Sequence, residues 1–344
     1  MKPSKTSLPD LRMVADIAGV SIATVSRVLN SDPAVKGATR SVVEQAIQNS
    51  GYRPNRVAQR LRTTTRSRKL IGLLIPDIRN PFYVDVIRGI EEYAYAHDSA
   101  VVIGNFSQDP KKEQLYIDIL RSESVDGFVV APTNGRDNNI EQLIHDGHPV
   151  VCIDRGLSDL QVDLVKSDNE RGAFTATEHL ITIGHRRIAH ITGDPAIPTT
   201  SERIAGYAAA LGTYGLSVNE TLIRGKASDF ASGVQLAGEL LDLPEPPTAI
   251  FCGNNLLTLG ALETILSRNL KIPDDVAILG FDDLYWATSL NPPLTAVQQH
   301  GFEIGQRAIQ LLYQRIANPN RLPTNVIIKT DLMIRKSCGY KADQ

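Results

Sequence analysis

Two sets of residues have the types and spacing that chemistry needs. The first lies in "GVSIATVSRVLN", residues 19–30, where Ile22, Ala23 and Arg27 fall on one side of a helical repeat and Val25, Val28 and Leu29 on the other. A guanidinium so placed donates a bidentate pair to guanine, while Ile22 and Ala23 offer apolar contact to thymine methyls or permit close approach. Ser21, Thr24 and Arg40 would hold phosphates. "YRPNRVAQRLRTTTRSRK" follows at residues 52–69, with Pro54 setting the start of a short helix and Val57, Ala58 and Leu61 on one side among Arg56, Arg60 and Arg62. A leucine ringed by arginines suits minor-groove insertion, with Asn55, Ala58 and Arg62 beside Leu61 at the duplex. At about eight residues such a helix does not persist alone and is expected to fold when docked. On these residues alone a helical hairpin packed on the rest of the chain, followed by a solvated basic linker, remains open.

The second set sits just after short apolar segments: Asp77, Asn80, Phe82 and Tyr83; Asp154 and Arg155; Thr199 and Arg203; Phe230; Asn254 and Asn255; Asp282 and Asp283. Aromatic faces cover sugar C–H groups, and Asp, Asn and Arg pair with vicinal hydroxyls, so the set suits a polyhydroxy ligand. Each residue also fits a strand-end cap or a packing role. Catalysis finds no support: there is no Walker-type glycine loop, G-x-S-x-G elbow, H-E-x-x-H helix or paired metal-ligand cluster. His185 reads as a loop residue. Cys152, Cys252 and Cys338 are odd in number and widely spaced, so they read as buried small hydrophobes in a reducing compartment; no cofactor or metal is expected.

The elements that must position these residues follow from pattern. Asp10 can cap a helix in which Val14, Ile17 and Ala18 share an inward face before Gly19 ends it. Ser21 caps the second helix, and a third, about Thr39 to Ser50, supplies Val42, Val43, Ala46 and Ile47. Helices joined by a glycine turn make an all-α helix-turn-helix head. From Leu70 the chain alternates strands and amphipathic helices: "LIGLLIP", "AVVIGN", "DGFVVAP" and "PVVCID", then a restart at "DLVKSDN", "RIAHITG", "TLIRG", "TAIFCGN" and "VAILGFDD". That pattern predicts an α/β body of two lobes with parallel sheets, and open α/β sheets bind ligands beyond the carboxyl ends of their strands. A helix over Gly301 to Ala317 turns Ile304, Ala308, Leu311 and Leu312 to the core.

Charge divides the same way. The net charge is −2 over 344 residues, yet residues 1–69 hold 13 Lys and Arg against 4 Asp and Glu, a balance of +9, leaving −11 for the remainder. A short basic head on an acidic body implies that the head meets a polyanion. The longest apolar runs fall far short of the roughly 20 residues of a membrane helix, and Met1 to Asp10 leads into no export segment, so a cytoplasmic location is expected with no membrane contact.

"VADIAGVSIATVSRVLN" and "GYRPNRVAQRLRT", with the strand motifs above, resemble the lactose/galactose repressor (LacI/GalR) family over nearly the full length. The resemblance implies a periplasmic-binding-protein-like body and a homodimeric regulator. Its partners would be double-stranded operator DNA and a small-molecule effector: a sugar, sugar acid or sugar phosphate. It places Ile22, Ala23 and Arg27 where family members read bases and Leu61 where the hinge-helix leucine enters the minor groove. It also places Phe82, Arg155, Arg203, Phe230, Asn254 and Asp282 around the pocket between lobes. The implied organisation is a head over 1–53, a hinge helix and linker over 54–69, and a body over 70–344. The N-lobe then takes about 70–166 and 298–325, and the C-lobe about 167–297 and 326–344. Four departures stand out. Met13 replaces an acidic residue and Lys36 a capping Ser, Asn255 replaces an Asp, and Ile197 lies where some purine-responsive members carry arginine. Tyr285 and Trp286 suggest a further stacking platform.

Overall fold

In the structure, a computed structural model, residues 10–29, 32–50, 52, 69–133, 136, 138–158 and 160–340 are described. The chain divides into two compact units, Met1–Arg68 and Lys69–Gln344.

The smaller unit holds α1 (Leu11–Ala18), α2 (Ile22–Leu29) and α3 (Gly37–Ser50). Asp10 Oδ1 accepts from Met13 N at 2.8 Å, and Gly19 adopts φ 63°, which lets its N–H return to the carbonyls of Ala15 and Asp16. Val14, Ala15, Val25, Val28, Val43 and Ala46 form the core. Two expected core residues face outward instead: Ile17 is 48% exposed and Val42 51%. In α1 the inward row runs Leu11, Val14, Ala15 and Ala18, the i, i+3, i+4, i+7 spacing of one helix face, which rotates Ile17 away. In α3 the row is Val43, Ala46 and Ile47, and Val42 lies beside it.

The larger unit contains two six-stranded sheets. The first has strand order β11-β5-β4-β3-β1-β2, with β1 (Leu70–Ile75), β2 (Ala100–Asn105), β3 (Gly127–Val130), β4 (Val150–Ile153), β5 (Asp163–Ser167) and β11 (Asn325–Ile328), all pairs parallel. It is covered by α4 (Pro81–Ala96), α5 (Pro110–Ser122), α6 (Asn138–His145) and α11 (Gly301–Ala317). The second runs β12-β10-β9-β8-β6-β7, with β6 (Ile188–Thr192), β7 (Ile223–Gly225), β8 (Ala249–Cys252), β9 (Ala277–Phe281), β10 (Thr295–Gln298) and β12 (Asp331–Met333). Only β12 is antiparallel there, against β10. Its helices are α7 (Asn169–Thr182), α8 (Pro198–Thr213), α9 (Phe230–Leu241) and α10 (Asn255–Ser267). Among the described residues no helix is long and apolar enough to cross a membrane.

The "DLVKSDN" strand does not open the second sheet. Asp163–Ser167 pairs with β4 on one side and β11 on the other, and the buried Asp163 carboxylate accepts from Arg315 Nε and Arg321 Nη1, both at 2.9 Å. Periodicity identifies a strand, but its partners are chosen by packing and, here, by the cations that neutralise Asp163. Residues 326–328 likewise lie in the first sheet rather than in the C-lobe, so the third crossing falls at Lys329 and Thr330. The paired helices α4 and α11 touch through Gly89 and Gly305, where backbone meets backbone with no room for a Cβ. Cys152, Cys252 and Cys338 are buried thiols.

Candidate functional site

In the head, Ser21 Oγ accepts from Thr24 N at 3.1 Å and lies 2.9 Å from Thr24 Oγ1, so both hydroxyls stand at the N-terminus of α2, where a phosphate is favoured. Ile22, Ala23 and Arg27 are exposed on one face of α2, while Val25 and Val28 are buried on the other. Arg40 spends one N–H on Asp32 O at 2.8 Å and keeps the rest of its fork. Asn55, Ala58, Leu61 and Arg62 lie outside the described residues.

In the body, the carboxyl ends of the two sheets face each other across a cleft. Asn80 caps α4, its Oδ1 accepting from Phe82 N at 2.9 Å, and Pro81 sets the first turn, so Phe82 and Tyr83 are buried at the cleft wall. Tyr83 OH donates to Asp154 Oδ2 at 2.9 Å and accepts from Arg155 Nη2 at 3.1 Å; Arg155 Nε donates to the same carboxylate oxygen at 3.2 Å. Asp154 reaches this position with φ 66°, a left-handed conformation just past β4. Burial raises the phenol pKa of Tyr83 far above its usual range. For Arg155 burial opposes the charge, but Tyr83 and Asp154 more than offset it, and the cation is retained.

On the opposite wall Arg203, from the first turns of α8, lies over the Phe281 ring at 3.7 Å. Its Nε and Nη2 donate to Asn169 Oδ1 at 2.9 and 2.8 Å, and its Nη1 to Gly253 O at 2.5 Å. All three bonds go to neutral oxygens; burial lowers its pKa, with Asp282 and Asp154 opposing at longer range. Asp282, at φ 76°, accepts from Gln299 Nε2 at 2.5 Å and from Asn255 N and Nδ2 at 3.2 and 3.0 Å. Burial raises its pKa against Arg203, Gln299 and Asn255. Behind this wall His190 is stacked on Phe251 and Tyr207 and donates Nδ1–H to Phe251 O at 3.0 Å, which defines the tautomer; burial pushes its pKa down to about 4.

Phe82, Tyr83, Arg155, Thr199, Arg203, Asn254 and Asp282 therefore come together around one cavity of about 70 Å³. Phe230 does not: it is 46% exposed at the start of α9 and outside the lining, as are Tyr285 and Trp286. Asn254 is partly spent, its Oδ1 capping α10 through Leu257 N at 2.8 Å. Gln108, Thr192, Thr200, Ser228 and Gln299 also line the cavity and were missed from the sequence. Gln108, Thr192, Ser228 and Gln299 lie at or within three residues of the carboxyl end of a strand, so applying the strand-end rule to every strand would have found them. A larger hollow of about 490 Å³ runs between α11 and β11, lined by His300, Glu303, Arg307 and Lys329 among others. It is an open groove on one lobe and lacks the converging buried polar groups of the cleft, which is the better ligand site.

Among the described residues, Arg155 and Arg203 each commit three of five N–H groups to protein oxygens, leaving two apiece. Gln299 Oε1 is a buried acceptor without a partner. Facing donors and acceptors in a concave, buried site hold a ligand that carries both, which is what hydroxyl groups do.

Known proteins match both units. The head, residues 10–55, fits the family model described as "Bacterial regulatory proteins, lacI family", and residues 68–336 fit "Periplasmic binding proteins and sugar binding domain of LacI family". The HTH-type transcriptional repressor PurR of Histophilus somni (strain 2336) is 32% identical over 328 residues, covering 95% of this chain and 98% of that protein. The solved complex of the transcriptional regulator CelR with cellobiose superposes with a TM-score of 0.72 at 32% identity, covering 96% of this chain and 99% of CelR. The lac repressor dimer bound to operator and the anti-inducer ONPF gives a TM-score of 0.83 at 25% identity, covering 96% and 99%. A helix-turn-helix head and a two-lobed, parallel-sheet body, matched over nearly the full length by transcriptional regulators, leave one assignment: the chain belongs to the LacI family of bacterial regulatory proteins, DNA-binding transcriptional regulators that respond to an effector.

Proposed function

We propose that the chain is a homodimeric, sequence-specific repressor of a carbohydrate-use operon, acting in the cytoplasm, whose grip on operator DNA is set by a small ligand in the interlobe cleft. The cleft's unspent hydrogen-bonding groups, in a chain that also carries an exposed reading helix, are the observation that carries this reading. Ile22, Ala23 and Arg27 read base edges and Ser21, Thr24 and Arg40 hold phosphates, while Asn55, Ala58, Leu61 and Arg62, outside the described residues, engage the minor groove. The head then spans 1–53 and the effector-binding and dimerisation body 70–344.

Charge narrows the ligand. Asp77 is neutralised by Arg79 through two hydrogen bonds at 2.9 and 3.0 Å, Asp154 by Arg155, and Asp282 faces Arg203. The lining is thus balanced, and a sugar phosphate or sugar acid would bring a new charge against three carboxylates. A neutral polyhydroxy compound fits better, and cellobiose in the CelR complex is of that kind. Thr199, Tyr83 and Phe82 would supply a hydroxyl and ring faces. Two heads match a palindromic site, and the second copy is needed for them; exposed Val102 and Ile103 on the open edge strand β2, with Val84 and Tyr95 on the adjoining α4, give it an apolar surface to cover. A ligand that prefers one lobe arrangement about 100-fold supplies roughly 2.7 kcal/mol of coupling.

Selection of genomic fragments by the full-length protein, with and without neutral sugars, tests the reading. It expects a palindromic consensus upstream of sugar-use genes and release or gain of binding with one sugar class. Binding to random duplexes as tight as to any promoter fragment overturns it.

A further inference from the structure

Asn255 is the first residue of α10 and is 1% exposed. Its Nδ2 donates across the cleft to Asn80 Oδ1 at 2.7 Å and, within its own lobe, to Asp282 Oδ2 at 3.0 Å. Both amide hydrogens are spent, and its Oδ1 is buried without a partner. The orientation is forced. Turned over, the amide would set its oxygen against the Asp282 carboxylate and against an Asn80 oxygen that already accepts from Phe82 N. An orphaned buried carbonyl is unfavourable, so the two donated bonds are what hold this arrangement. The N-lobe end of the link is the cap of α4, whose first turn carries Phe82 and Tyr83.

The size of the cleft cavity matters here. A cavity of about 70 Å³ is far below the roughly 300 Å³ or more of a small-molecule site, so a sugar enters only after the lobes part. We propose that Asn255 is a latch that joins the lobes in the closed arrangement, and that admitting ligand requires breaking its bond to Asn80. The proposal rests on the cleft being the effector site. Asn255 is then a positioning residue: it orients Asp282 and sets how much of the unliganded protein is closed.

The test uses full-length, ligand-free protein with spin labels at exposed Lys111→Cys on α5 and Lys226→Cys after β7; the native cysteines are buried and do not compete. Pulsed electron resonance reads the interlobe distance. Asn255→Asp is isosteric and keeps an acceptor at a helix N-terminus, so folding is preserved, but it sets a second carboxylate against Asp282. The charged groups facing that pair are Arg203 on α8 and Asp154 after β4, with Gln299 as a neutral donor. The open-to-closed ratio is expected to rise on the order of tenfold near pH 8 and to return as acid protonates one of the two carboxylates. Asn255→Ala is expected to open the cleft to a similar extent with no such pH dependence. Wild-type distances in both variants at every pH overturn the latch. No ligand enters this measurement, so the effector reading fails differently: Asn255→Ala opens the cleft, yet no sugar alters operator affinity in the wild type.

Discussion

Gly89→Ala offers a quantitative test of how tightly the N-lobe is built. A Cβ at residue 89 would lie 3.0 Å from the carbonyl carbon of Phe302 and 3.1 Å from Gln306 N, and closer still to Phe302 O, where ordinary contact begins at 3.4 Å. These are backbone atoms of a buried helix, so no rotamer change relieves them; α4 and α11 must part by on the order of 1 Å in a close-packed interior. Overpacking of this kind costs about 3 kcal/mol at the upper end of its usual range, and the helix propensity gained on replacing glycine returns about 1 kcal/mol. The expected net loss is about 2 kcal/mol. Gly212→Ala, in α8 with nothing within 4 Å of its added Cβ, keeps only the propensity term and is expected to stabilise by about 0.5–1 kcal/mol. Urea unfolding of the two variants, with the slope held equal, measures both signs. The first turn of α4 carries Phe82 and Tyr83, so Gly89→Ala should also weaken ligand response. A Gly89→Ala midpoint at or above wild type would refute the close approach of these helices.

Further outcomes follow from the same geometry. Arg27→Ala should relax base preference at one operator position, whereas Arg40→Ala should weaken every sequence alike and lower the salt slope by about one unit; equal loss over all operator variants for Arg27→Ala removes base reading. Arg203→Ala and Asp282→Ala should abolish the response of operator binding to neutral sugars while leaving operator affinity near wild type, and a normal response in both places the effector elsewhere. His190 is neutral in the folded state, with a pKa pushed down to about 4 from 6.5, so the unfolded chain binds more protons between those values. Stability from this residue is complete above about pH 6.5 and is lost as pH falls toward 4, by up to about 3 kcal/mol. His190→Phe should flatten that part of the pH profile of thermal unfolding, and an unchanged acid slope would contradict a neutral buried imidazole.

Local rules make much of this molecule readable in one dimension. Asp10, Gly19 and Ser21 mark the ends of α1 and α2 through bonds made within a few residues, and the outward placement of Ile22, Ala23 and Arg27 follows from the 3.6-residue repeat alone. The cleft residues Tyr83, Arg155, Arg203 and Asp282 were legible for a related reason: in α/β sheets the loop beyond a strand's carboxyl end, with the first turns of the helix it leads into, is a spatial address as well as a chain position. What the repeat leaves undetermined is phase and partner. Ile17 and Val42 are apolar and one position off the buried row, and only the packing of α1 on α3 selects which row faces in. Asp163–Ser167 reads as a strand, but its place in the first sheet is set by pairing with β4 and β11, and its carboxylate is met by Arg315 and Arg321, more than 150 residues away. Phe230 follows the strand-end rule and still points to solvent. The bond from Asn255 to Asn80 spans 175 residues, and neither the width of the cleft nor the saturation of Asp282 by protein donors is written in any segment. Hydrogen bonds near along the chain are specified by short motifs, whereas those between lobes exist only once two separately folded sheets have been brought face to face.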